Sequence, residues 1–233
     1  MPDALLITYA VLIFTTIWIL GAFIWLIFDA AQTAGTHSAR RTAITTTAIV
    51  LVWAAIGWSM GARFELQFPL VLVMAFIPIS LGTALAIRPR MSELLSNIRI
   101  APLIAVQVYR VAGGIFLYLY YTVGTLSWGF ARNAGWGDVL TGVLALPVAW
   151  LVWRQSRFAS AAVVAWCIIG IGDLILAPVS VRIFGADRLV EFPINTVPLF
   201  LGPPLGILLH VFVLRAWWLQ RQRFSQTAFA AAE

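Results

Sequence analysis

The sequence predicts an all-α membrane protein with seven transmembrane helices, and three observations lead there. Of 233 residues, 62% are hydrophobic and only 10% charged, where a soluble domain carries roughly a quarter charged residues. Mean hydropathy is +0.95. Apolar runs of about 20 residues, the length that a hydrocarbon core of roughly 30 Å requires, recur seven times along the chain.

The first run, residues 5–28, follows Met-Pro-Asp-Ala, with no basic segment before it. It is too long for a signal-peptide core and is read as a span. The second and third runs cover residues 42–60 and 68–87. After them, "RPRMSELLSNIRIA" places Met91, Leu94, Leu95 and Ile98 on one helical face among arginines. That pattern predicts a short helix lying on the cytoplasmic membrane surface. The fourth run, 102–123, contains Gln107 and Arg110 one turn apart. The fifth, 139–153, is short and leaves "TLSWGFARNAGWGD" before it as an outer loop. Trp128, Phe130 and Trp136 in that loop fit an interfacial aromatic belt, and a substrate-gripping lid is the sharper alternative. The sixth and seventh runs, 158–180 and 196–218, both contain proline.

All fifteen basic residues are arginine. Ten of them (Arg40, Arg41, Arg88, Arg90, Arg99, Arg154, Arg157, Arg215, Arg221 and Arg223) fall on one set of loops. Four (Arg63, Arg132, Arg182 and Arg188) fall on the other, and Arg110 lies inside a span. The positive-inside rule then gives an outer N-terminus and a cytoplasmic C-terminus. The net charge of +6 reports this topology, and no nucleic-acid partner is expected.

The third and seventh spans share residues at constant offset: Phe68/Phe192, Pro69/Pro193, Val73/Val197, Phe76/Phe200, Leu81/Leu205, Gly82/Gly206 and Leu85/Leu209. The second and sixth share Trp53, Ile56 and Gly57 with Trp166, Ile169 and Gly170. The chain thus reads as one integral-membrane domain in a parallel 3+1+3 arrangement. Residues 1–87 form one half, 102–123 a linker helix, 139–218 the second half and 219–233 a cytoplasmic tail. In architecture this resembles the three-plus-one-plus-three plan of SWEET-type sugar transporters, although their Pro-Gln motif is missing. Such repeats place a binding site near mid-membrane between the halves. Pro78 with Gly82, and Pro203 and Pro204 with Gly206, would interrupt the matching third and seventh spans, the expected place for gating.

Several chemistries are excluded by count. Without lysine no retinal can be held as a Schiff base. His37 and His210 are the only histidines and Cys167 the only cysteine. This is too few for a membrane bis-His haem or a structural metal, so no cofactor and no metal are expected.

Ionisable groups inside a membrane mark sites by default. Gln107, Arg110, Asp173 and His210 are the candidate substrate-binding residues. A helix rise of 1.5 Å per residue puts Arg110 roughly 12 Å into its span and Asp173 about 10 Å further along the normal. Asp138 is expected at the outer mouth of the fifth span. "GWGD" (135–138) and "GIGD" (170–173) resemble the Gly-x-Gly-Asp element of presenilin and prepilin-peptidase intramembrane aspartyl proteases. That likeness implies Asp138 and Asp173 as a catalytic pair, although the Pro-Ala-Leu motif of that class is absent. The set "QVYRVAGG", "NAGWGD", "GIGD" and "LGPPLGILLH" also resembles a bacterial family of polytopic integral-membrane proteins to which no activity attaches. It implies an inner-membrane location.

Three functions fit these features. The first is a transporter or channel-like binder of a small polar or anionic molecule or ion, with Arg110 and Gln107 holding it and Asp173 or His210 coupling protons. The second is a non-transporting membrane subunit or sensor, with a protein partner or an oligomer and structural polar groups. The third is the aspartyl protease.

Overall fold

The computed structural model describes residues 2–63, 68–124, 126–185 and 192–230. The described secondary structure is helical throughout. α1 (Pro2–Ala34), α2 (His37–Arg63) and α3 (Phe68–Ala86) come first, followed by the short α4 (Pro89–Leu95). A continuous rod then runs through α5 (Ile100–Ala105), a 3-10 helix (Val106–Gly114), α6 (Ile115–Tyr118) and a π-turn (Leu119–Val123). α7 (Trp128–Trp153), α8 (Ala159–Phe184), a second π-turn (Val197–Leu201) and α9 (Pro203–Ala230) complete the chain. Seven of these helical segments are long and apolar enough to cross a membrane, and the chain is a membrane protein.

Helices dominate because a lipid core offers no hydrogen-bonding solvent, so each span must satisfy its own backbone. Outward faces carry large apolar side chains such as Phe14, Phe76, Ile168 and Ile183, all more than half exposed. Inward faces carry small ones: Ala39, Ala43, Ala54, Gly57 and Gly61 on α2, and Ala131, Ala134, Gly135, Gly142 and Ala145 on α7. Lipid tails are as apolar as leucine, so span association depends on close packing, which small residues permit. α7 packs most extensively, against the rod on one side and α8 on the other. Gly35 (φ +67°) reverses the chain between α1 and α2, and Gly124 (φ +66°) ends the rod. Both adopt the left-handed backbone that a side chain disfavours.

Three expectations change. "TLSWGFARNAGWGD" is not an outer loop over its length, because α7 already begins at Trp128. Its Ala131, Ala134 and Gly135 form a packing stripe, and Phe130 meets Phe116 of the rod edge to face at 5.4 Å. α4 does not rest on lipid: Met91, Leu94, Leu95 and Ile98 are each at most 4% exposed, packed among α1, α2, α3 and α9. It plugs the arginine-rich end of the bundle.

The third change concerns the two Pro/Gly-rich spans. Pro78 lies inside an uninterrupted α3, whereas Pro203 and Pro204 follow a real break. Pro203 has no N–H for the Leu199 carbonyl four residues earlier. The Trp53 indole N–H donates to that carbonyl instead (3.0 Å), and the Tyr109 hydroxyl donates to Leu201 O (2.9 Å). Gly82 and Gly206 are packing points: a Cβ would collide with Leu208 at the first and Leu174 at the second. Matched positions of the sequence repeat occupy different environments. Phe76 and Leu81 are 67% and 61% exposed, while Phe200 and Leu205 are 1% and 6% exposed.

Candidate functional site

Arg110 sits in the 3-10 stretch of the rod, whose nine residues are more than this geometry usually sustains. Three residues per turn stack positions i, i+3 and i+6, so Gln107, Arg110 and Gly113 form one column. The Asp138 side chain occupies the space beside Gly113 that a Cβ would need. On α7, Asp138 lies in register with Thr141, Gly142 and Ala145, the face turned to the rod. Gly142 has no side chain to hold off the backbone of Arg110 and Val111. On α8, Gly170 and Asp173 lie one turn apart and share a face.

These three faces close around one guanidinium, whose side chain is 1% exposed. Arg110 Nε donates to Asp138 Oδ1 at 2.8 Å, and Nη2 donates to Asp173 Oδ2 at 2.5 Å. Nη1 donates to the Gly170 carbonyl at 3.2 Å and lies 3.4 Å from His210 Nε2. The carboxylates therefore share the Nε/Nη2 edge, and His210 faces the remaining nitrogen. His210 packs its ring against Trp166 (centroids 4.4 Å apart), whose indole N–H donates to Thr141 O. It takes the room left at Gly170, where a Cβ would strike the imidazole.

Arg110, Asp173 and His210, three of the four residues expected to bind substrate, thus lie together. Asp138 joins them, contrary to its expected place at the outer mouth. Two features account for this. α7 starts ten residues before Asp138, which places that carboxylate roughly 15 Å along the helix. The rod starts at Ile100 and rises about 2.0 Å per residue in its 3-10 part, so Arg110 lies roughly 17 Å along its span. The expected separation along the normal is thereby shortened, and the extended guanidinium covers the rest. Gln107 is fully buried but forms no hydrogen bond to the cluster. Pro78, Gly82, Pro203, Pro204 and Gly206 line none of it, although Tyr109 ties the rod to the break before Pro203.

A cavity of about 30 Å³ reaches Arg110 and Asp138 from between α1, the rod and the second π-turn, past Thr15, Tyr109, Gly113 and Gly202. It has room for a water or two and no larger ligand. The Asp138 and Asp173 side chains are 14% and 11% exposed. Among the described residues, no three of His, Cys, Asp and Glu gather as a metal site. The cation between these carboxylates is the guanidinium itself.

Residues 67–218 match the model of a family described as Domain of unknown function (DUF8737). The chain belongs to this family. The DUF8737 segment runs from α3 into α9 and includes Arg110, Asp138, Asp173 and His210, so every charged group of the cluster falls within it. Trp53, which caps the break in the last span, lies outside the DUF8737 segment. No curated protein and no solved structure matches the chain.

Proposed function

We propose that this protein is a proton-coupled carrier of a small polar molecule, with Asp138, Arg110 and Asp173 as its proton-handling centre. The observation that carries the reading is the count of charges on one buried guanidinium. A structural clasp needs one carboxylate to neutralise Arg110. Here two helices each supply one, so the ionised cluster sums to −1. A surplus charge in a low-dielectric site is costly, and one proton removes it. Loss and gain of that proton would change how firmly α7 and α8 are tied to the rod, which is the coupling a carrier requires.

Every guanidinium nitrogen already donates to a protein group, so in this conformation it does not present a free anion site. The reading therefore places solute binding in another conformation, one in which Arg110 releases a carboxylate. It includes a bacterial inner membrane, an outer N-terminus and cytoplasmic C-terminus, and a duplicated three-helix plan about the rod. The charge asymmetry of the two ends supports the orientation.

The test is proton movement in liposomes containing the purified protein and a pH-sensitive dye, with a panel of small polar solutes. Asp138→Asn and Asp173→Asn should each fold and each lose solute-dependent proton flux by at least tenfold. Folded variants with unchanged flux would overturn the reading.

A second reading, a membrane subunit or sensor with structural polar groups, draws support from the filled guanidinium and the small cavity. It predicts a co-purifying partner and no flux. The protease reading draws less: a guanidinium lies on the two carboxylates where a catalytic pair would activate water.

A further inference from the structure

Four buried polar atoms around Arg110 have no hydrogen-bond partner: Gln107 Oε1 and Nε2, Thr141 Oγ1 and His210 Nδ1. All three residues are fully buried. Gln107 lies one 3-10 turn before Arg110 in the same column. The Thr141 methyl and the His210 ring meet over Gly170, whose carbonyl accepts from Arg110. Buried polar groups in native proteins are paired with protein or with water, and an internal water takes two to four such partners.

The imidazole orientation adds a direction. A guanidinium has no acceptor, so His210 Nε2 faces Arg110 with its lone pair and the ring proton is on Nδ1. That N–H points away from Arg110 and the carboxylates. The groups facing His210 are Arg110 on the rod and Cys167 on α8, whose sulfur lies 4.0 Å from the His210 carbonyl oxygen. Asp138 on α7 and Asp173 on α8 lie beyond the guanidinium.

We propose that Gln107, Thr141 and the Nδ1 edge of His210 hold a short chain of internal waters, and that His210 passes protons between this chain and the carboxylate pair. The proposal rests on the proton-handling reading above and adds the route. When Arg110 moves off Nε2, a proton leaves the carboxyl group of Asp173 for Nε2. The resulting imidazolium gives its Nδ1 proton to the first water. This leaves an ionised carboxylate, a hydronium and an imidazole protonated on Nε2; the starting tautomer returns when Nε2 gives its proton to water as Nδ1 takes one from water, with no net change in charge.

Two measurements test it. The first is the melting temperature of Gln107→Leu in detergent. A hydrated site loses amide–water bonds, and Tm falls by several degrees. A dry site loses an unpaired amide, so an unchanged or raised Tm overturns the water chain. The second is liposome proton flux for His210→Gln, which can still accept from Arg110 but cannot relay. Flux should drop at least tenfold in protein of normal gel-filtration profile, and unchanged flux overturns the relay while leaving the carrier reading intact. If the unmodified protein shows no flux with any solute, the carrier reading fails together with the relay. The Gln107→Leu melting result still decides the water chain.

Discussion

At the scale of the residue, Arg110 is compensated twice over, and the two carboxylates should be individually dispensable for folding but not jointly so. Asp138→Asn or Asp173→Asn leaves a neutral ion pair plus an amide that can still accept from the guanidinium. The double variant leaves a buried guanidinium facing two amides and a carbonyl. Breaking a buried pair in this way costs about 3–5 kcal/mol. Thermal denaturation in detergent should show both single variants close to the unmodified protein and the double variant melting far lower, with Arg110→Gln added as a third change restoring much of the loss. Additive small effects would contradict the shared-guanidinium geometry. An ionisable side chain in an apolar run is conspicuous, and Arg110, Asp173 and His210 were legible for that reason. The place of Asp138 was not, because it depends on where α7 begins. The polar and glycine-rich turns before residue 139 conceal that start from any measure of hydropathy.

At the scale of the element, packing explains three of the four glycines in the two Gly-x-Gly-Asp stretches. Gly135 faces Leu117 of the rod, Gly137 faces the Asp173 carboxylate, and Gly170 faces the His210 ring. Gly172 faces open space. Gly170→Ala should therefore cost about 1–3 kcal/mol through forced displacement of His210. Gly172→Ala should change stability by less than about 0.5 kcal/mol, and a comparison of the two melting curves checks the pair. The break before α9 gives a second element-scale prediction. Trp53→Phe leaves the Leu199 carbonyl without its donor and should cost about 1–3 kcal/mol, measured by the same melt. The proline signal in this span was readable in the sequence, since Pro203 cannot serve the carbonyl four residues earlier. Pro78 gave the same signal in α3 without a break. The 3-10 conformation of the rod has no counterpart in residue type, because Val106–Gly114 contains no residue that excludes an ordinary α-helix.

For the whole molecule, the arginine-rich end is also the closed end. α4 is held there by links at its margins. Thr36 donates to Glu93, Arg99 pairs with Asp29 while lying over Trp25, Arg215 donates to Ser92, and Gln220 donates to the Ile98 carbonyl. With that end cytoplasmic, residues 219–233 should be cleaved by protease added to inverted vesicles and protected in intact spheroplasts. The reverse pattern would contradict the orientation. Seven spans were legible because their length and hydropathy follow from the thickness of a bilayer. Helix partners were not, because apolar faces of similar composition pack against lipid and protein alike, as Phe76 and Phe200 illustrate. Away from that end, among the described residues, a cavity of about 30 Å³ reaches Arg110 and Asp138, and the two carboxylates are partly exposed.

The central claim is that one proton is exchanged at the carboxylate pair on Arg110. Infrared difference spectroscopy of the purified protein across a pH step reads it directly. A carboxylic-acid C=O band should appear on the step, shift in D₂O, and vanish in both Asp138→Asn and Asp173→Asn. A pH step that changes no carboxyl band traceable to either aspartate would contradict the claim.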